Sequence, residues 1–556
     1  DPVAKFAAHF RNVTRTNEPK VRLPLEERLP RYVIEGSKDG LIADLEAALK
    51  ISRPLDIING PLMAGMDEVG RLFNRNELIV AEVLQSAEVM KTAVNFLEPH
   101  MEKADTASRG KILLATVKGD VHDIGKNLVE IVLANNGFQV VNLGIKVPPE
   151  QLISAVKEHS PNILGLSGLL VKSAQQMVVT AEDLAKAGID VPILVGGAAL
   201  SRRYVDRSIA PAYGGTVAYA KDAMNGLDLA KQIVEPSSFE RLKKTLSDER
   251  SISEANTPTE TKLNPISDRR SKKVEVLTDF PEPTDFHRHV LKNSPIDQIW
   301  SYINPLMLYG RHLGIKGGVV RQLVAKEFTN IPTEQKKAVE IWNAVEEVKL
   351  YCKERELLKP SAVYRFYKAG SEGNSIFLFD DGKQVADFEF SRQPGEDGLC
   401  LSDYLAPFKG GQVPDNIAMF VVSSGSGVRT QAEIWKNSGD YLKSHIIQAL
   451  ALETAEAYAE FLHSRIRAMW GFADPIDMTM MERFQAKYRG KRYSFGYPAC
   501  PRLNDQEKLF SLLKPQEIGV ELTDGFMMEP EASVSAIVFH HPQASYFSVG
   551  EGGENR

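Results

Sequence analysis

Between residue 105 and about residue 235 the sequence alternates strand-type and helix-type patterns five times, and no other stretch restricts the fold so tightly. Short apolar runs at Ile112–Val117, Val140–Leu143, Ile163–Ser167, Ile193–Val195 and Thr216–Ala220 are each followed by residues at helical spacing. Strands joined through helices run parallel, with helices covering both faces of the sheet. Crossovers are right-handed almost without exception, so a doubly wound, flavodoxin-like sheet is expected. Such a sheet binds ligands at the carboxyl ends of its strands.

Three of those ends carry unusual residues. The first strand runs into Gly119-Asp120-Val121-His122-Asp123-Ile124-Gly125, a polar turn placed before a helical pattern. A His two residues after an Asp can aim one ring nitrogen at a ligand while the other donates to the carboxylate, which fixes the tautomer and raises the basicity of the ring. Taken alone, a loop His is more often a surface or hydrogen-bonding residue. The third and fourth strands end in Ser167-Gly168 and Gly196-Gly197, small residues that permit close approach by a large flat ligand.

Together these segments resemble the cobalamin-binding module that carries Asp-x-His-x-x-Gly, then Ser-Gly, then Gly-Gly. The resemblance implies that His122 displaces the cofactor's own base and binds cobalt from below, linked to Asp120 and then Ser173 as in the methionine synthase family. Gly119, Val121, Asp123, Gly125, Ser167, Val171, Gly196, Gly197 and Ala223 fall at cofactor-contact positions of that family. Val171 stands where Thr is frequent.

From Leu23 to about Met101 the pattern is helical, with breaks at Gly36–Gly40, Ser52–Pro54 and Asn74–Asn76, which gives four helices. Apolar stripes such as Met66, Val69, Leu72 and Phe73 read as core. A small bundle before a cobalamin module is similar to the helical cap of cobalamin-dependent methyltransferases. In that family Phe73, Val80 and Val83 match residues laid over the upper face of the cofactor, and Asn59 stands where some members carry Glu.

Net charge is −6, which leaves no electrostatic footprint for nucleic acid or an anionic membrane. The amino terminus lacks the apolar core of a signal peptide, and no apolar run reaches membrane-spanning length, so a cytoplasmic chain is expected. The cysteines Cys352, Cys400 and Cys500 lie far apart, without metal-ligand or disulfide-framework spacing. The chain starts without Met in a linker-like stretch, as expected of a piece of something longer.

Between Pro236 and about His289 periodicity fades into Ser-, Thr-, Pro- and charge-rich sequence, read as a linker with one short helix near Phe239–Leu246. Arg269-Arg-Ser-Lys-Lys273 is read as a solvated basic face. Beyond it, helical stretches at Ile296–Leu313, Thr333–Leu358 and Tyr441–Trp470 are grouped with β-type runs at Ser375–Phe379, Ile417–Val422 and Ser533–Phe539, an α+β arrangement. Expected boundaries are therefore 1–22 residual linker, 23–104 cap, 105–236 sheet module, 237–289 linker and 290–556 α+β domain.

Within the last part, Arg492-Tyr-Ser-Phe-Gly496-Tyr497-Pro498-Ala499-Cys500-Pro501 combines prolines and glycine that lock an irregular backbone with an arginine fork suited to a carboxylate. By composition alone a rigid surface turn is favoured. The segment closely resembles the S-adenosylmethionine-binding loop of the methionine synthase activation domain. The resemblance implies that Arg492 holds the ligand carboxylate, Glu456 its amino group, and Tyr546 part of the nucleoside. Gly496, Tyr497, Ala499, Cys500 and Phe547 fall in the same loops, and Asn304 stands where some members have Asp.

The likeness covers nearly the whole chain in family order. It implies a methyltransferase fragment that binds methylcobalamin and restores the cob(II)alamin form with a methyl from S-adenosylmethionine and an electron from a reduced flavodoxin-type donor. Homocysteine, held through zinc, and methyltetrahydrofolate belong to modules outside it. A monomer is expected, with no nucleic acid or membrane partner. A cobalamin-binding sensor or a simple corrinoid carrier remains the alternative; the first requires an output helix, and the second leaves the carboxy-terminal half without a role.

Overall fold

The computed structural model describes residues 24–101, 108–255, 269–328, 336–395, 397–408 and 413–549. The expected linker 1–22 lies outside these residues. Two compact units are present, one from residues up to Leu78 with Gln85–Thr106, the other from Ile79–Leu84 with Ala107 onward.

The first unit is all-α. Leu25–Glu35 and Leu41–Ala48 are followed by Pro54–Ile57, a wide turn at Ile58–Leu62 and Met63–Asn74 in unbroken succession, and then by Val80–Leu97, which belongs to this unit from Gln85 onward. The expected count of four helices is met. Met66 and Val69 are fully buried, as the helical stripe requires. Gly65 permits close crossing of the first helix, because a Cβ there would lie 2.8 Å from the Pro30 carbonyl oxygen.

The second unit contains two large sheets. Strands β1 (Gly110–Thr116), β2 (Phe138–Asn142), β3 (Ile163–Ser167), β4 (Ile193–Gly196) and β5 (Val217–Tyr219) form a parallel sheet in the order 2-1-3-4-5. This is the flavodoxin-like order expected from the alternation. Helices Ile124–Ala134 and Ala223–Val234 associate with each other, and Pro149–His159 associates with Val171–Lys186, so the sheet is layered on both sides. Its core, centred on Leu113, Leu164, Met177 and Val195, is fully buried.

The other sheet is antiparallel: β11 (Lys491–Tyr493), β14 (Ser533–Phe539), β10 (Asp415–Ser423), β7 (Ser361–Glu372), β8 (Ser375–Asp380) and β9 (Lys383–Glu389) in that order, with β6 (His289–Leu291) also pairing β7. A small ribbon, β12 (Glu521–Leu522) with β13 (Met528–Glu529), precedes β14. The long helix Tyr441–Met469 touches β10, β14 and the sheet-module helix Ile124–Ala134. It is buried on nearly every side, which its run of alanines at 449, 451, 455, 457 and 459 allows.

Two readings of the linker are corrected. The helix after the sheet is not a short one near Phe239–Leu246 but runs Pro236–Ala255. Nor is Arg269–Lys273 a solvated face throughout. Arg270 is half-buried and donates to the carbonyls of Asp403 and Leu405, while Ser271 is buried and donates to Asp397. A guanidinium saturates several carbonyl acceptors at once, and that outweighs its exposure to water here. The helix expected over Ile296–Leu313 is also interrupted between Trp300 and Leu306. Pro305 disfavours helical geometry at Asn304, whose Oδ1 instead accepts from Leu306 N at 3.1 Å. Among the described residues no helix is long and apolar enough to cross a membrane.

Candidate functional site

The end of β1 turns through Gly119, whose φ of +76° suits glycine. The turn buries Asp120 completely. Its Oδ1 accepts from the backbone N of His122 at 2.9 Å and faces Nδ1 of the same ring at 2.6 Å. Its Oδ2 accepts from Ser173 Oγ at 2.5 Å and from Leu169 N at 2.8 Å. One carboxylate therefore ties the β1 loop to the segment that follows β3, and Nδ1 is committed, leaving Nε2 of His122 for the cavity it borders. Burial works against a charged Asp120, but the His122 and Ser173 bonds outweigh it and hold the carboxyl below its usual range. Burial likewise disfavours a charged His122, yet Asp120 and nearby Glu531 together raise its pKa.

Glycines set the neighbouring strand ends. Gly197 has φ +151°, and a Cβ there would lie 1.7 Å from the Gly168 carbonyl oxygen. A Cβ on Gly168 would lie 2.6 Å from that of Ser173. The two strand ends are thus pressed together by backbone, leaving an open floor of small residues.

That floor opens into a cavity of about 950 Å³ bordered by His122, Gly125, Ser167, Gly196, Gly197 and Ala223 on one side. On the other side stand Asn304, Glu456, Arg492, Tyr497 and Tyr546. Arg492 sits on β11, and its Nη2 lies 3.4 Å from Glu456 Oε2 and 3.8 Å from Glu460 Oε2, both on the long helix. The loop after β11 is tight: Gly496 N donates to Cys500 O and Cys500 N to Tyr497 O, each at 2.8 Å.

Other expected site residues lie elsewhere. Val121, Ala499 and Cys500 are buried in the apolar core of the second unit, and Phe547 packs against it. Asp123 is buried at the residue before the helix that begins at Ile124, without a side-chain capping bond, and Val171 heads the helix after β3 with its side chain largely exposed. In the first unit Asn59 is exposed and Phe73 half-buried. Val80 and Val83 border no part of the cavity.

The β12–β13 ribbon is docked on the β1 loop. Thr523 Oγ1 donates to Gly119 O at 2.7 Å, and Gly525 packs so closely on Gly119 that a Cβ on either would lie within 2.8 Å of the other's backbone. Glu529 pairs with Lys146 at 2.5 Å and with Arg429 at 3.2 Å, and Lys436 pairs with Glu130 at 3.0 Å. Sequence reading missed Glu531, Glu460, Tyr488 and Thr523. Only Glu460 carried a signal, its spacing of four from Glu456 on one helix.

Glu531 borders the same cavity, and burial pushes its carboxyl from 4.5 up to about 7. A raised carboxyl pKa means that the folded state holds a proton the unfolded chain has released, so the penalty grows from pH 4.5 to about 7 and stays above it. Each pH unit between those two values is worth about 1.4 kcal/mol, so Glu531→Gln is expected to stabilise the chain by up to about 3 kcal/mol at pH 8 and scarcely at all near pH 5. Urea unfolding at the two pH values checks this, and an equal effect at both contradicts it.

Family models match in three places. Residues 25–98 and 110–227 each match a B12 binding domain, and residues 317–556 match the activation domain of vitamin B12 dependent methionine synthase. Methionine synthase of Mycobacterium tuberculosis (strain ATCC 25618 / H37Rv) is 34% identical over 594 aligned positions, covering 99% of this chain and 49% of that protein. The chain belongs to the cobalamin-dependent methionine synthase family. The Mycobacterium leprae (strain TN) methionine synthase is also 34% identical, again covering 99% of this chain and 49% of its own length. The chain thus spans about half the length of these curated relatives. Among solved structures, the MetH reactivation domain bound to AdoHcy is similar at 26% identity and TM-score 0.45, covering 48% of this chain and 83% of that one. Along the chain the sheet module stands between the helical and the activation parts.

Proposed function

We propose that this part of the methionine synthase chain binds a cobalamin at the carboxyl edge of the parallel sheet and S-adenosylmethionine at Arg492 and Glu456, and returns an inactivated cofactor to its methylated form. One observation carries the reading: the two groups of residues border a single cavity of about 950 Å³. A methyl donor held at one wall can therefore meet a group held at the other without leaving the protein.

The residues fit a cobalamin. The floor is formed by the small residues Ser167, Gly196 and Gly197 at the edge of the cavity, and His122 presents one nitrogen whose tautomer Asp120 sets. A bound cobalamin would supply a metal centre able to accept a methyl group and release it again. The chain's own part is to orient His122 through Asp120 and Ser173, to keep bulk water from the cavity, and to place the sulfonium ligand. Arg492 offers a two-pronged site for a carboxylate, and Glu456 accepts from an ammonium group. The electron is assigned to a reduced flavodoxin-type partner, and the complete methionine-forming activity to the longer chain that also carries homocysteine and folate modules.

The test supplies methyl-labelled S-adenosylmethionine and a reductant to the cobalamin-loaded chain and follows label onto the corrinoid. Transfer is expected, with loss in Arg492→Ala. In His122→Gly the visible and spin-resonance signature of the loaded chain should change, since the nitrogen that would hold the metal is removed. An unchanged signature refutes the ligand role of His122. Absence of label transfer in the wild-type chain refutes the repair reaction. A sensor or carrier would bind the corrinoid and ignore S-adenosylmethionine.

A further inference from the structure

Arg492 is shared by two carboxylates of different character. Glu456 is half-exposed at the cavity wall, whereas Glu460, one helical turn later, is 9% exposed at its side chain. The buried one is fixed from behind. Its Oε2 accepts from Tyr488 OH at 3.0 Å. Among the described residues its Oε1 has no hydrogen-bond partner, and it lies 3.7 Å from Nη2 of Arg467. Arg467 cannot swing toward it, because Asp474 takes both Nε and Nη2 at 2.6 and 2.7 Å. Glu460 thus stands under Arg492 with nowhere else to turn.

The arrangement matters once an α-amino-acid head enters. Its ammonium competes with Arg492 for Glu456, and its carboxylate must find the guanidinium where Glu456 leaves it. Asn304 also borders the cavity, with its Oδ1 already accepting once, from Leu306 N. An arginine with one acceptor would follow Glu456 or turn to water. An arginine with a second, buried carboxylate 3.8 Å away keeps its fork aimed at the cavity by charge attraction.

We propose that Glu460 is a positioning residue that holds Arg492 in place for the ligand carboxylate while Glu456 turns to the ammonium. The inference rests on the assignment of S-adenosylmethionine to this wall. It predicts a loss that depends on the ligand's carboxylate and is not spread over the whole ligand.

The experiment measures calorimetric binding of two uncharged-sulfur probes to the full chain: S-adenosylhomocysteine and its decarboxylated form, 5′-S-(3-aminopropyl)-5′-thioadenosine. Glu460→Gln should weaken the first about tenfold and the second less than about twofold, the mark of a charge pair lost at one end of the ligand. Tyr488→Phe, which removes the bond holding Glu460, should shift the same ratio in the same direction by about two- to threefold. Equal losses for both probes, or none for either, overturn the positioning role and leave the site assignment standing. Failure of the wild-type chain to bind S-adenosylhomocysteine overturns both.

Discussion

Replacing Arg492 by alanine is expected to weaken binding of S-adenosylmethionine by about 2–4 kcal/mol, roughly thirtyfold to a thousandfold. The size follows from what the substitution leaves behind. Arg492 is the cation between Glu456 and Glu460, and both carboxylates raise its pKa against the opposing pull of burial. Without it, a ligand carboxylate would approach two like charges one helical turn apart. Arg492→Lys should recover only part of the loss, because an ammonium cannot reach two acceptors in one plane. Calorimetric titration checks both, and an Arg492→Ala chain with wild-type affinity removes the carboxylate assignment.

Asp403→Ala should cost the second unit about 3–5 kcal/mol, because it strands a buried guanidinium. Arg392 and Asp403 are 0% and 1% exposed and joined by two parallel bonds of 2.6 and 2.9 Å. Asp403 also accepts from Cys400 N at 2.9 Å, and its backbone carbonyl takes Arg270 from the expected linker. Removing one partner leaves the other charged and out of water, whereas removing both leaves apolar space. The double variant Arg392→Met with Asp403→Leu should therefore be more stable than Asp403→Ala. Urea unfolding of the three chains decides it, and a single variant that loses less than about 1 kcal/mol contradicts the account.

How far a segment is legible depends on whether one period dominates it. Strands β3 and β14 can be read to their observed ends, since each is a clean apolar run between turn residues. Strand β7 escapes such reading although it lies inside its sheet. Its sequence Ser-Ala-Val-Tyr-Arg-Phe-Tyr-Lys-Ala-Gly-Ser-Glu mixes charges into the run, and the structure settles them by reaching outward, Arg365 to Asp380 and Lys368 to Glu282. The helix Pro236–Ala255 reads as shorter than it is because its surface is polar almost all round, which leaves no stripe to follow.

The site divides the same way. Asp120, His122 and Ser173 are legible because two of them are neighbours in sequence and the third closes a known pattern. Glu531 is not, since its environment is made by segments hundreds of residues away and no local spacing records it. Which part of the carboxy-terminal half meets the β1 loop is equally silent in the sequence. Polar contacts such as Lys146 with Glu529 join partners whose pairing has no one-dimensional trace.

The hydroxyl of Thr523 grips the carbonyl of Gly119, the residue just ahead of Asp120. The peptide that enters the imidazole's supporting turn is therefore anchored from outside its own sheet. Any reshaping of that turn that moves the Gly119 carbonyl has to break this hydrogen bond and part the close packing of Gly119 on Gly525.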